Sequence, residues 1–148
     1  MKFYVTLKRS SLLAVLLLLV ASLLILCEAT SSSMYAKSGA SNADRIKFLS
    51  EIGCTVGEEC LQEKNTVIPD RFSDVYENYN SLQKESGFNL EPYKGCKAVI
   101  YKYAVIKYGK IGQNTAVANL IVSDGKIIGG DISSVKLSGF MYPLVKPD

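Results

Sequence analysis

The chain has 148 residues and a formal net charge of +3, and it contains neither histidine nor tryptophan. The missing histidine excludes Ser-His-Asp and Cys-His nucleophile systems, His-based zinc sites and the usual general base near neutral pH. The basic excess comes wholly from Lys2, Lys8 and Arg9, so the rest of the chain is neutral and lacks the basic footprint of a nucleic-acid binder.

The first element is a membrane segment. Leu12 to Cys27 is an uncharged run, apolar except for Ser22, close behind Lys8 and Arg9. Residues 10–28 are long enough to match a hydrocarbon core of ~30 Å as a helix rising ~1.5 Å per residue. The basic residues before it place the N-terminus in the cytoplasm and the remainder outside. The run is expected to stay as an anchor, because a cleaved signal has a shorter apolar core, usually ~7–15 residues. Cleavage after Cys27-Glu28-Ala29 is the alternative and would leave a secreted protein. A lipoprotein reading fits poorly, since Leu26 rather than a small residue precedes Cys27. Residues 29–41, rich in Ser and Ala, read as a flexible linker. Residues 42–148 then form one extracytoplasmic domain of ordinary size.

That domain opens with a helix over about 43–52. Ser41 or Asn42 is its N-cap, Asp44 sits in the positive first turn, and Gly53 ends it. Ile46, Leu49 and Ile52, helped by Phe48, form the buried stripe. An extended stretch follows, ending in Asn65-Thr66-Val67-Ile68-Pro69. Asp70 or Ser73 caps a second helix with Phe72, Val75, Tyr76, Tyr79 and Leu82 on one face. Gly87 closes it, and Phe88 and Leu90 fold back as an apolar latch.

The last third reads as a β-meander. A strand near 97–107 alternates Val99, Tyr101, Tyr103 and Val105 on one face. A strand near 115–122 does the same with Ala118, Leu120 and Val122. Asp124-Gly125 is a two-residue hairpin turn into a strand over 126–135. Gly129-Gly130 inside that strand points to a bulge or a close backbone approach. The expected class is α+β, with both helices packed on one face of a small antiparallel sheet.

Two stretches carry a resemblance. One is Val75-Tyr76-Glu77-Asn78-Tyr79-Asn80 through Tyr93-Lys94-Gly95; the other is Ala118-Asn119-Leu120-Ile121-Val122 through Gly129-Gly130-Asp131. They resemble the domain-of-unknown-function family numbered 4830, small proteins found mostly in Gram-positive Firmicutes. The resemblance covers about residues 44–142. It implies an N-terminal membrane segment with an outward-facing domain, and it assigns no chemistry to any residue. Cys54, Cys60 and Cys96 look peculiar to this chain.

Few residues then remain as site candidates. Cys54 and Cys60 could close a small disulfide loop on the exported side; free thiols are the alternative. Tyr76, Tyr79, Tyr101 and Tyr103 could line a groove between the second helix and the sheet, although such stripes are more often core. Asp131, beside the glycine pair, could present a carboxylate to a ligand. Its bland reading is a bulge residue bonded to local backbone. Ser134 and Lys136 lie two apart and could act as a pair. Neither a cofactor nor a metal is expected.

Charge is split along the chain: residues 44–91 are net −5 and residues 92–148 net +5. Acidic helices on a basic sheet account for this more simply than a face for anionic polymers or lipid headgroups. Together these features lead us to expect a binding or interaction module at the bacterial cell envelope, with a protein, peptide or wall partner. An envelope enzyme using carboxylate or Ser-Lys chemistry is the runner-up, and a structural accessory of a membrane complex the third reading.

Overall fold

The computed structural model describes residues 37–111, 115–136 and 139–145. The expected membrane segment and residues 29–36 of the expected linker lie outside the described residues. Among the described residues no helix is long and apolar enough to cross a membrane.

Helix α1 spans Asn42–Glu51. Ser41 caps it in both directions: its hydroxyl accepts from the Asp44 amide, and the Asp44 carboxylate accepts from the Ser41 amide. This capping box satisfies two of the backbone donors that every helix start leaves free. Strand β1 spans Cys54–Val67, helix α2 Asp74–Glu85, strand β2 Lys97–Tyr108, β3 Ala116–Ser123, β4 Lys126–Ser134 and β5 Met141–Pro143. A short 3-10 turn at Glu91–Tyr93 lies between α2 and β2.

The five strands form one antiparallel sheet in chain order. Thus the stretch before α2 is the meander's first strand, and α2 is an excursion between paired neighbours. The expected Asp124-Gly125 turn is present, with φ of 47° and 70°. Two consecutive positive φ values match the right-handed twist of the flanking strands, and glycine takes the second without strain.

One expectation is corrected. The helices do not share a face of the sheet; they cover opposite faces. Phe48 and Leu49 of α1 cluster with Tyr103, Val105, Ala118, Leu120, Val122 and Ile132. A second cluster joins Ala98, Ile121 and Ile128 to Leu90 and to Tyr76 and Tyr79 of α2. Side chains one residue apart on a strand point to opposite faces, so Leu120 and Ile121 mark the two sides. Both sides of β3 and β4 are therefore buried. Phe88 belongs to the α1 cluster and meets Phe48 edge to face at 6.3 Å.

Helix α2 also turns a different side inward than its hydropathy implies. Val75 is 79% exposed, whereas Asn80 and Gln83 are buried. Asn80 Oδ1 accepts from the Leu90 amide at 2.8 Å, pinning the chain reversal after the helix. A buried polar side chain is stable where it satisfies backbone that would otherwise be orphaned.

Residues 37–41, the end of the expected linker, are fastened to the sheet. The Gly39 amide donates to Gly125 O, and the Ile127 amide donates to Lys37 O, both at 2.9 Å. They pair part of the β4 edge that the three-residue β5 leaves open.

Candidate functional site

The β3–β4 register decides which side chains meet. From the Asp124-Gly125 turn, Ser123 pairs with Lys126 and Val122 with Ile127; a bulge then shifts the register by one residue. Beyond it, Ile121 pairs with Gly129 and Asn119 with Asp131. Without the shift, Asn119 would face Gly130. A slip of one residue exchanges the two faces of a strand, so the bulge turns Asp131 toward α2.

There Asp131 is buried, 3% exposed. Tyr79 Oη donates to its Oδ2 at 2.9 Å, and Asn119 Nδ2 donates to its Oδ1 at 2.8 Å. The Ser133 hydroxyl makes a further, very short bond to Oδ1. The donors to this carboxylate are neutral side chains. Burial, and secondly the neighbouring Asp131, push the Tyr79 hydroxyl far above its ordinary range. Tyr79 therefore remains a proton donor at any physiological pH. The cluster is thus a buried, hydrogen-bonded carboxylate that docks α2 on the sheet.

Gln83 completes the contact. Its Oε1 accepts from the Gly130 amide at 2.7 Å. Its Nε2 is buried and makes no hydrogen bond among the described residues. The glycine pair exists for this approach. A Cβ on Gly129 would sit 2.6 Å from Gln83 Oε1, and one on Gly130 would sit 2.1 Å from the Asn119 carbonyl oxygen.

The opposite face carries a buried cation. Arg45, 6% exposed, lies with Cζ 3.6 Å above the Tyr101 ring. Its Nε donates to Tyr103 Oη and its Nη1 to Gly39 O, both at 2.7 Å. Tyr103 in turn donates to Asn42 Oδ1 at 2.8 Å. Acceptors around the guanidinium and the facing π-system offset the cost of burying its charge.

The four tyrosines therefore do not line one groove. Tyr76 and Tyr79 lie under α2, Tyr101 and Tyr103 lie under α1, and only Tyr79 reaches Asp131. The proposed Cys54–Cys60 loop is also corrected: both thiols are free. Both residues belong to β1, opposite Tyr108 and Tyr103 respectively. Five residues of extended β2 separate those partners by roughly 16 Å, whereas a disulfide needs Cα atoms about 5.5 Å apart. Burial pushes the Cys54 thiol up to about 11. Ser134 and Lys136 make only a local contact, in which the Lys136 amide donates to Ser134 Oγ at 3.1 Å.

Sequence reasoning missed Arg45, Gln83, Asn119 and Ser133. Gln83 carried a signal, since it follows Tyr79 by four residues on the same helix face. Among the described residues no group of His, Cys, Asp and Glu is arranged to hold a metal ion.

Open surface lies elsewhere. A groove of about 800 Å³ runs over the end of the sheet left uncovered by α1, with Val99, Tyr101 and Val122 on its floor and Val67 and Lys97 at its rim. A second, of about 1010 Å³, lies between Gly53, Lys110, Tyr142 and Val145. Asp131 lines neither.

Fold and site together define a small α+β domain: a five-stranded meander between two helices, with two buried charged side chains, Arg45 and Asp131, locked into packing contacts on opposite faces. The chain belongs to the family described as a domain of unknown function, DUF4830, whose family model matches residues 48–132. No curated protein and no solved structure matches it.

Proposed function

We propose that this protein is a membrane-anchored, extracytoplasmic binding module of the cell envelope, and that it takes an extended, basic peptide segment of a partner protein. The observation that carries this reading is the contrast between Asp131 and the β1 edge. The carboxylate best placed for chemistry is sealed under α2 by three neutral donors. Among the described residues the outer edge of β1 carries no partner strand. An unpaired edge offers backbone donors and acceptors to an added strand.

Charge and shape narrow the occupant. Glu58, Glu59 and Glu63 are exposed along β1 and make no ion pair among the described residues. They favour basic side chains on the incoming segment. Asn65, Thr66 and Val67 at the end of β1 also line the apolar groove. A strand added there would drop alternate side chains beside Val99 and Tyr101.

The test is a photocrosslinking residue at Val67 in the full chain in living cells, with Val75 as the control position. The expected result is a discrete adduct at Val67, mapping by mass spectrometry to an extended basic stretch. Absence of any Val67 adduct, together with turnover of an envelope substrate that Asp131→Asn abolishes, would favour the enzyme reading instead. The topology is tested by external protease, which should digest a C-terminal tag in whole cells.

A further inference from the structure

Arg45 is buried, and its bonding partners are neutral. Among the described residues no carboxylate pairs with it; Glu63, which faces Tyr101 across β1 and β2, makes no ion pair. Replacing a buried ionic side chain by an apolar one of similar volume is often neutral or stabilising. Packing alone therefore does not account for an arginine here. What the guanidinium supplies is direction: a planar fork of donors that also stacks on an aromatic ring.

The groups it joins meet around the groove of about 800 Å³. Gly39 and Ala40, whose carbonyl oxygens accept from Nη1 at 2.7 and 3.3 Å, form one wall of it. Tyr101, with its ring 3.6 Å below Cζ, lies on the floor. Asn65 and Val67 of β1 line the opposite side, and Arg45 itself does not line the groove. The wall has little else to hold it. Residues 37–41 cross the sheet as a strap, touching it through the isolated bridge of Ser38 with Lys126. The Lys37–Glu51 ion pair and the Ser38–Asp44 hydrogen bond are exposed, and exposed ion pairs contribute little. Gly39 lies flat on β3 and β4, where a Cβ would come within 2.7 Å of Ile127 Cγ1 and 3.0 Å of Val122 Cγ2. Its lack of a side chain permits this seat but gives it no grip, and the buried bonds from Arg45 supply one.

We propose that Arg45 is the positioning residue of this groove: it holds residues 39–40 as the wall beside Tyr101, so that filling the groove and fastening the strap reinforce each other. The occupant is the extended basic peptide of the reading above, on which this inference rests for its ligand. A peptide lying between β1 and the strap binds the fastened form better, because a released strap leaves the groove with one wall. Linkage then requires the peptide to favour fastening by the same factor.

Amide exchange of the full chain in detergent micelles reads the strap directly. The Gly39 amide bonds to Gly125 O and the Ile127 amide to Lys37 O, so both report its release. In Arg45→Lys and in Arg45→Met, exchange at these two amides should quicken by about tenfold to a hundredfold, the loss expected for bonds from a charged donor. Leu120 and Ile132 should stay protected and show that the domain is folded. Lys37→Gln removes only the exposed ion pair and should change the two amides by less than about fivefold. The probe for the groove is the end-capped peptide Val-Lys-Val-Lys-Val-Lys. It should bind the wild-type chain, slow exchange at Gly39 and Ile127, and bind both Arg45 variants about tenfold more weakly.

Unchanged exchange at Gly39 and Ile127 in the folded Arg45 variants overturns the proposal. So does a Lys37→Gln effect as large as theirs, which would assign the strap to the surface ion pair. A probe that binds wild type and both variants equally also overturns it, as does one that binds wild type without slowing the two amides. The last measurement needs no variant and decides the matter if neither variant folds. A probe that binds no form, while the strap loosens in the Arg45 variants, rejects the peptide reading and keeps Arg45 as the fastening of the wall.

Discussion

Asp131 shows how a residue suggestive of chemistry becomes a packing element. Each of its oxygens is occupied by neutral donors from α2, β3 and its own strand, and the surrounding residues bury it. Removing the phenol by Tyr79→Phe leaves Oδ2 without its donor, and stability should fall by about 1–3 kcal/mol. Asp131→Asn keeps an acceptor oxygen for Asn119 and Ser133 but puts an amide NH2 where Oδ2 accepted from Tyr79, and should cost a similar amount. In the double variant the losses should fall short of their sum by roughly 1 kcal/mol, because both changes break the same bond. Denaturant titration of the four proteins checks this, and strict additivity would mean that the Tyr79–Asp131 contact contributes nothing. Cys54 gives a pH signature. Its thiol titrates near about 11 in the folded protein against an ordinary value of 9.0. The folded state therefore binds its proton more tightly, and that contribution is whole below pH 9 and is lost as pH rises through 11. Stability should be insensitive to Cys54 below pH 9 and fall above it, with the fall reduced in Cys54→Val; an identical alkaline profile in that variant would exclude the thiol.

At the scale of elements, the capped helix α1, the Asp-Gly hairpin and the alternation of β2 are legible because each rests on local chemistry. A capping oxygen, a positive φ and a period of two need no knowledge of the rest of the chain. What was hidden is the bulge between Ile121 and Val122, which sets the partner of Asp131 and is decided by packing against α2. The inward side of α2 was hidden for a related reason: hydropathy favours Val75, but the unsatisfied amides of Leu90 and Gly130 select Asn80 and Gln83. The pairing of helices with opposite faces had a signal in Asn119-Leu120-Ile121-Val122 and Lys126-Ile127-Ile128, since consecutive apolar residues mark a strand buried on both sides. The glycine pair ties these features together and makes them testable. Gly130→Ala would place a methyl against the immovable Asn119 carbonyl and should cost about 2–4 kcal/mol. Gly129→Ala meets the end of the Gln83 side chain, which can rotate away, so its cost should be smaller and should approach that of Gln83→Ala. Thermal melts that ranked Gly129→Ala as the more damaging would contradict the β3–β4 register.

At the scale of the domain, and among the described residues, both helices pack against the sheet, and its strands are unequally protected. β3 and β4 have cover on both faces and neighbours on both edges along most of their length. β1 is an edge strand, interrupted by register shifts between Thr55 and Gln62, with Glu58, Glu59, Leu61 and Glu63 in water. Bulges and charge on an edge hinder indiscriminate pairing, so an edge that binds a partner must be specific and locally soft. Amide exchange should reveal this gradient, because opening free energies range from near zero at exposed edges to the global value in the core. The amides of Leu120, Ile121 and Ile132 should exchange only through global unfolding, whereas those from Glu58 to Lys64 that face solvent should exchange far faster. Tyr79→Phe should accelerate α2 before it accelerates α1, since the two helices draw on separate clusters linked mainly through the sheet and the Phe48–Phe88 contact. Uniform acceleration of both helices would instead mean that the two faces open as one unit. In that case partner binding at β1 would be coupled to the buried carboxylate on the far side of the sheet, and Asp131→Asn would weaken binding without touching the partner.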